Sequence, residues 1–175
     1  MRAALFTVLV AVSFSFAAPA AAVDILTHGH AHNDYWHDRP LLDALDLGFA
    51  SIEVDVILVD GELRIGHVAS ELEPGKTLQA LYLEPLRQRI ADNGGAVFPG
   101  HTDFKLMIDM KQANAPTYAA IHAALADYAD ILTIMRDGVL TPGPVTVVIG
   151  NGAFKLFVDE SPRYAFYSLP YAQFS

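Results

Sequence analysis

The alternation in Ile52-Glu53-Val54-Asp55-Val56 limits the fold of this chain more than any other sequence feature. Successive side chains of an extended strand point to opposite faces, so Glu53 and Asp55 share one face and the apolar residues pack on the other. The apolar run continues through Leu58, which indicates a buried strand of a parallel sheet. Two carboxylates on one buried face repel each other and are costly without a compensating charge, so the segment predicts a cation beside them.

A second strand repeats this pattern in the segment 104–111. Leu106, Ile108 and Met110 form its apolar face, and Asp109 and Lys111 end the other face. Because parallel strands end at the same edge of a sheet, both segments deliver their polar groups to one rim. Carboxylate oxygens suit Mg²⁺ or Ca²⁺ better than zinc, which prefers His and Cys ligands. The sequence therefore predicts a site for one divalent cation.

Histidines flank these acidic strands in the sequence. His28-Gly-His-Ala-His32 precedes the first strand, and Ile65-Gly-His67 follows it. Cleavage of a phosphodiester requires a cation for the phosphate oxygens, a base for the attacking hydroxyl and an acid for the leaving alkoxide. That requirement is matched by the combination of three carboxylates, a lysine and several histidines. The combination is more specific than any one of these residues.

The remainder of the chain alternates between predicted strands and predicted helices. Such alternation favours parallel pairing through right-handed crossovers and an α/β fold. The segment 63–67 is expected to be a short return after the Asp60-Gly61 turn rather than a full strand of the parallel sheet. The expected strands lie near 24–28, 51–57, 63–67, 105–110, 131–135, 145–149 and 164–167, and the expected helices at 40–47, 85–93 and 114–128.

Several motifs together resemble the phosphatidylinositol-phospholipase-C-like phosphodiesterase superfamily. The resemblance runs from about residue 26 to about residue 152 and is strongest to the branch related to altered inheritance of mitochondria protein 6. It implies a TIM barrel, a single Mg²⁺ or Ca²⁺, and acid and base catalysis by two histidines. The motifs are His30-x-His32-Asn33-Asp34-Tyr35, Leu47-Gly48, Glu53-x-Asp55-Val56, Gly66-His67, Thr77-Leu78-x-x-Leu81-Tyr82-Leu83-x-Pro85-Leu86 and Asp109-x-Lys111.

The resemblance also implies a role for each matching residue. Glu53, Asp55 and Asp109 correspond to the metal ligands, and His67 corresponds to the second catalytic histidine. Lys111 follows the third ligand and is expected to hold a phosphate oxygen. In the implied mechanism a substrate hydroxyl next to the phosphate attacks phosphorus, which yields a cyclic phosphate that water can open. Imidazole serves as both base and acid because its ordinary pKa of about 6.5 lies near neutrality.

The first catalytic histidine has two candidates. His32 fits the family spacing measured back from Glu53 and is favoured, whereas His30 fits better when Asn33 is the anchor. The glycerophosphodiester enzymes have His-Arg-Gly where this chain has His32-Asn33-Asp34, and that departure weakens the expectation of a glycerophosphodiester substrate. Asn33 and Asn151, the latter directly after the strand 145–149, are candidates for substrate contact.

Length sets the main limit on the barrel. Without a 22-residue leader 153 of the 175 residues remain, whereas a complete eight-stranded barrel takes about 250. Five or six full strands are expected, so residues 23–175 are predicted to form an incomplete, C-terminally truncated barrel domain.

The first 22 residues have the pattern of a cleaved signal peptide. An arginine precedes an apolar run and then Ala17-Ala-Pro-Ala-Ala-Ala22, and the apolar run is shorter than the ~20 residues of a bilayer span. The mature protein is therefore expected to be secreted or periplasmic and to have no membrane span.

The charge of the chain limits its partners. A net charge of −9 argues against binding nucleic acid or an anionic membrane, so a small-molecule or lipid phosphodiester is the expected partner. Positive potential for such a substrate has to come from the metal, Lys111, and Arg64 or Lys105. The sequence does not indicate an oligomeric state.

Two alternatives to a metal-dependent phosphodiesterase remain open. His30-x-His32 after a first strand also resembles the metal pair of amidohydrolases and of polymerase-and-histidinol-phosphatase-type phosphoesterases, which use zinc or manganese. An inactive, truncated binding module is the other alternative, because the predicted barrel is incomplete.

Overall fold

The computed structural model describes residues 23–101, 103–150 and 153–168, with the side chains of 153 and 154 excepted. Within this part of the chain the strands are β1 (Ser51–Val59), β2 (Glu62–Ile65), β3 (Phe104–Met110), β4 (Ile134–Arg136), β5 (Val139–Thr141), β6 (Val145–Ile149) and β7 (Ala165–Tyr167). The α-helices are α1 (Leu42–Asp46), α2 (Glu84–Asp92) and α3 (Ala115–Ala126). A π-helical segment, Gln79–Leu83, leads into α2, and short 3-10 helices lie at Asp34–Trp36, Ala69–Glu71, Ala129–Ile131 and Ala153–Leu156.

The main sheet is mostly parallel and has the strand order β2-β1-β3-β6-β7. The strands β1, β3, β6 and β7 pair in parallel, and β2 returns antiparallel along β1 as the sequence predicts. This architecture confirms the α/β class. The described strands do not close into a barrel, because β2 and β7 remain at the two edges of the sheet.

One face of this sheet forms the hydrophobic core. Ile52, Val54 and Val56 of β1 are fully buried, as are Leu106 and Ile108 of β3. The same cluster takes buried residues from all three α-helices, among them Leu45, Leu86 and Ile121. The opposite face carries the acidic side chains, so the alternation of the sequence correctly separates the core face from the polar face.

The predicted helices form within two residues of their expected bounds. In α3 the side chain of Asn114 accepts a hydrogen bond of 2.9 Å from the backbone N–H of Thr117, and Pro116 lies in the first turn. Asn is a favoured N-cap, and Pro is tolerated in a first turn because the N–H it lacks has no partner within the helix there.

The prediction of a first strand at 24–28 is wrong. Leu26 and Ala31 make only isolated parallel bridges, to Phe49 and Ile52 respectively. The chain turns between them, where the N–H of Gly29 donates to the carbonyl of Leu26 at 2.9 Å. This turn interrupts what would otherwise be a continuous strand beside β1.

The prediction of a sheet strand at 131–135 is also wrong. Ile131 ends a 3-10 helix, Leu132 makes only an isolated parallel bridge to Val145, and the β4–β5 hairpin outside the main sheet begins at Ile134. The hairpin turns at Asp137 and Gly138, which both have positive φ. Asp-Gly is a strong signal for a two-residue hairpin turn, and the sequence carries it here.

No helix among the described residues is long and apolar enough to cross a membrane. The predicted signal peptide and Asn151 lie outside the described residues.

Candidate metal and catalytic site

Three carboxylates come together on the polar face of the sheet. Ligand-capable oxygens of Glu53, Asp55 and Asp109 lie within 4.8 Å of one another. The pairing of β1 with β3 explains this, because Asp55 lies directly opposite Asp109 and Glu53 points to the same face two residues earlier. Asp55 is fully buried and Glu53 nearly so.

Lys111 is the cation of this cluster. Its Nζ lies 2.6 Å from Oδ2 of Asp109 and 3.0 Å from Oδ2 of Asp55. Burial tends to lower the pKa of Lys111, but the hydrogen bonds to Asp109 and Asp55 outweigh burial, so the pKa lies above its ordinary value. Lys111 is therefore charged, and one positive charge stands against three carboxylates.

The cluster fits a hard divalent cation. Oδ1 of Asp55 and Oδ1 of Asp109 are buried and have no hydrogen-bond partner within the described residues. Buried polar atoms in native proteins nearly always have a partner, so these two oxygens are suited to bind a positively charged group. Together with Glu53 they form an all-oxygen donor set of the kind that Mg²⁺ or Ca²⁺ takes.

Tyr35 contacts this cluster directly. Its hydroxyl donates a hydrogen bond of 2.8 Å to Oδ2 of Asp55. Burial raises the pKa of Tyr35, and the hydrogen bond to Asp55 raises it further, so the phenol stays protonated as a donor. No local sequence signal identifies this bond, because 20 residues separate Tyr35 from Asp55.

Both candidates for the first histidine lie beside Glu53. Nε2 of His30 is 3.0 Å from Oε2 of Glu53, and its Nδ1 is 2.8 Å from Oγ of Ser51. Nε2 of His32 is 3.8 Å from the same Glu53 oxygen, and 68% of its side chain is exposed. The pairing of Ala31 with β1 brings both rings here. The structure thus holds His30 by two side-chain contacts and His32 by one longer contact.

His67 directly follows Gly66, whose backbone pairs with β1 on the edge opposite β3. Gly66 donates its N–H to the carbonyl of Asp55 at 3.2 Å, and the N–H of His67 donates to Oε2 of Glu71 at 2.7 Å. The residue itself is exposed. His30, His32 and His67 therefore all belong to segments on the side of β1 opposite β3.

The loop that carries His30 and His32 is anchored by Asp34, whose role the sequence argument misses. The buried carboxylate of Asp34 accepts hydrogen bonds from the backbone N–H of Leu41 and the hydroxyl of Tyr82, and it contacts Nδ1 of His37. No local sequence signal identifies Tyr82 as its partner, because 48 residues separate the two.

Asn33 precedes this anchor and adopts a left-handed backbone conformation with φ of 50°. Asn tolerates that conformation better than most residues. Its side chain is buried, and Oδ1 finds no hydrogen-bond partner in the part of the chain that the structure describes. A substrate contact by Asn33 stays a prediction.

Arg64 and Lys105 form ion pairs with acidic residues outside the cluster. Arg64 pairs with Glu62 at 2.9 Å, and Lys105 pairs with Asp103 at 2.9 Å. The expectation that one of them adds positive potential for the substrate stays a prediction. Lys111 provides the local positive charge.

Comparison with known proteins identifies a protein family and several relatives that resemble this chain. The model of the AIM6-like phosphodiesterase domain matches residues 21–168. An altered inheritance of mitochondria protein 6 homolog from Arthroderma benhamiae is 34% identical over 165 residues, covering 81% of this chain and 52% of that protein. Altered inheritance of mitochondria protein 6 from Saccharomyces cerevisiae is 30% identical over 172 residues, covering 81% of this chain and 44% of that protein.

A shorter match supports the same assignment. Altered inheritance of mitochondria protein 6 from Eremothecium gossypii is 44% identical over 72 residues, covering 40% of this chain and 18% of that protein. The chain spans about half the length of the curated relatives that match most of it. No solved structure matches this chain.

Proposed function

The chain belongs to the AIM6-like phosphodiesterase domain family, and on that premise we propose that it hydrolyses a phosphoric diester with one divalent cation, Mg²⁺ or Ca²⁺. One observation carries the proposal: Glu53, Asp55 and Asp109 cluster within 4.8 Å, and two of their buried oxygens lack partners. Such a cluster requires positive charge, and a phosphate group bound beside it requires the same.

The carboxylates, the lysine and the tyrosine have different roles in this proposal. Glu53, Asp55 and Asp109 would hold the cation, which would neutralise phosphate oxygens when bound. The ammonium of Lys111, already between two of these carboxylates, donates to a further phosphate oxygen. Tyr35 keeps Asp55 in place through its hydroxyl.

The histidines supply the proton transfers. His30 or His32 accepts the proton of the attacking hydroxyl, and His67 protonates the leaving alkoxide. The contacts of His30 and His32 with Glu53 and the exposure of His67 support these roles. Glycerophosphodiesters, phosphoinositide-like lipids and related diesters are the substrate classes we include.

The alternative of a His-rich zinc or manganese hydrolase has less support. The three-residue cluster found among the described residues consists of carboxylates and contains no histidine. Zinc sites are built mainly from His and Cys ligands, whereas all-oxygen sets suit Mg²⁺ or Ca²⁺.

We also propose that the protein is exported, on the basis of the leader pattern in residues 1–22. Expression of the full chain with mass analysis of its N-terminus tests this. A mature protein beginning near residue 23 is expected outside the cytoplasm, and an intact N-terminus retained inside would contradict export.

The test of activity compares the parent with two glutamate variants on a panel of glycerophosphodiesters, which carry the neighbouring hydroxyl that the mechanism requires, and on bis(p-nitrophenyl) phosphate, with and without Mg²⁺ or Ca²⁺. Glu53→Gln keeps the shape of the side chain and is expected to reduce the cation-stimulated rate by about 100-fold or more. Glu62→Gln, an exposed glutamate on the neighbouring strand, is the matched control and is expected to keep the rate of the parent.

Circular dichroism shows whether each variant is folded. Equal rates for Glu53→Gln and the parent would remove the proposed site. A folded parent without any cation-stimulated hydrolysis would favour the binding-module alternative.

A further inference from the structure

A cavity of about 230 Å³ adjoins the carboxylate cluster and has no role in the mechanism above. It lies between the 3-10 turn that contains Tyr35 and Trp36 and the segment from Ile65 to Leu81. Two residues link it to the cluster: Tyr35 lines the cavity and donates to Asp55, and Gly66 lines it and donates its N–H to the carbonyl of Asp55. A group bound in the cavity is therefore a near neighbour of a group bound at the carboxylates.

Aromatic rings form one wall of the cavity. The rings of Tyr35 and Trp36 pack edge to face, with centroids 5.6 Å apart and an interplanar angle of 66°. Trp36 is 64% exposed, so its large ring faces solvent and the cavity rather than the core. The faces of Trp and Tyr rings are electron-rich and attract ammonium groups, Trp most strongly.

Acidic groups also line the cavity. Glu73 is paired with Lys76 at 2.8 Å, so these two charges balance each other. Glu71 accepts only the backbone N–H of His67 and has no cationic partner among the described residues. The cavity thus has a net charge of about −1, which an ammonium group would neutralise.

We propose that this cavity binds the ammonium head group of the substrate, so that the preferred diester is zwitterionic. This inference rests on the proposed phosphodiesterase function. The phosphate lies at the carboxylate cluster with Lys111, and the positively charged end of the alcohol portion lies against Trp36 and Glu71. The cavity is smaller than the about 300–1,000 Å³ of sites that enclose a whole ligand, so it takes only the head group.

The same features exclude an anionic head group. A phosphorylated inositol would bring negative charge to the unpaired Glu71, and like charges in a shared site repel. Among the substrate classes proposed above, the cavity therefore favours amine-bearing diesters over phosphoinositides.

The test uses direct binding, so that it does not depend on catalysis. Trp36 is the single tryptophan of the chain, and its fluorescence reports on the cavity. Titration of the full chain with choline is expected to give a saturable change in emission. The neutral isostere 3,3-dimethylbutanol has the same shape without the charge and is expected to give none.

Two glutamate variants identify the cavity as the binding place. Glu71→Gln keeps the acceptor for the N–H of His67 but removes the charge, and it is expected to weaken choline binding about tenfold. Glu62→Gln lies outside the cavity and is expected to bind choline as the parent does. Equal affinity of the parent for choline and the isostere, no saturable change with choline, or undiminished binding by Glu71→Gln would each overturn the proposal.

The outcome separates this proposal from the phosphodiesterase function. A parent that hydrolyses bis(p-nitrophenyl) phosphate but shows no choline-specific change retains the enzymatic function and loses the head-group site. A parent that binds choline in the expected way without hydrolysing any diester retains the head-group site and loses the enzymatic function.

Discussion

Asp34 accepts a hydrogen bond of 3.0 Å from the hydroxyl of Tyr82, and both side chains are fully buried. Tyr82 lies in the π-helical segment before α2, whereas Asp34 directly follows the loop that carries the candidate catalytic histidines. The bond therefore fixes that loop against the helical layer of the fold.

Removal of the Tyr82 hydroxyl is expected to destabilise the fold. Tyr82→Phe leaves the buried carboxylate of Asp34 with one donor fewer, which costs about 1.5–3 kcal/mol of unfolding free energy for a bond to a charged group. Urea denaturation measures the loss. Tyr164→Phe is the control, because the described residues offer its hydroxyl no hydrogen-bond partner. An equally large fall in the unfolding free energy of this control would contradict the assignment of the effect to the bond with Asp34.

Tyr82 also predicts how stability depends on alkaline pH. Burial, and then the charge of Asp34, raise the pKa of Tyr82 in the folded state above its ordinary value of 10.0. The unfolded chain therefore loses this proton first, and the free energy of unfolding falls as pH rises above about 10. Denaturation at intervals from about pH 9 to about pH 11 is expected to show a shallower fall for Tyr82→Phe. The same slope in both proteins would contradict this account.

A divalent cation is expected to stabilise the folded protein. A cation that binds only the folded state raises the free energy of unfolding by about 2.7 kcal/mol at 100 times its dissociation constant. Thermal denaturation of the parent should therefore shift upward with Mg²⁺ or Ca²⁺ and return with a chelator. Asp109→Asn should lose this shift, and Asp103→Asn, an exposed residue just before the same strand, should keep it. If the cation raised the melting temperature of Asp109→Asn as much as that of the parent, Asp109 would be excluded as a ligand.

Lys111 is expected to stabilise the cluster in the absence of a cation. Lys111→Met removes the one positive charge between Asp55 and Asp109. We expect a loss of about 1–3 kcal/mol, less than the ~3–5 of a fully buried pair because Lys111 is partly exposed. Added Ca²⁺ should therefore raise the melting temperature of Lys111→Met more than that of the parent. Lys105→Met removes the exposed ion pair with Asp103 and serves as the control. An equal rise in melting temperature with Ca²⁺ for Lys111→Met and the parent would contradict the prediction.

The two candidate histidines can be separated by their effect on rate. Nε2 of His30 contacts Glu53, which orients the ring, and Nδ1 contacts Ser51. Nδ1 accepts the proton of the attacking hydroxyl once that hydroxyl takes the place of Ser51. His30→Gln is therefore expected to lower kcat by about 10²–10⁴-fold, and His32→Gln by less than about tenfold. Steady-state rates on a glycerophosphodiester, which carries the attacking hydroxyl, measure both. The reverse order would restore His32, which the family spacing favours, as the base.

Local patterns predicted the elements that depend on local geometry. The sequence correctly predicts the apolar and acidic alternation of β1 and β3, the helix α3 and the return at Asp60-Gly61. The β4–β5 hairpin was missed although Asp137-Gly138 signals it, because an apolar run was interpreted as a strand of the sheet. The strand at 24–28 failed because a turn at Gly29 leaves only single bridges to neighbouring residues.

The order of the amino acids alone specifies which face of each strand carries Glu53, Asp55 and Asp109, because the side-chain period of a strand is a property of its covalent backbone. Three relationships come from the folded arrangement instead: Asp55 lies opposite Asp109, Tyr35 and Lys111 contact the same carboxylate, and Trp36 and Glu71 line one cavity. These relationships depend on strand register and loop packing between residues far apart in the chain, and no local preference specifies such distances.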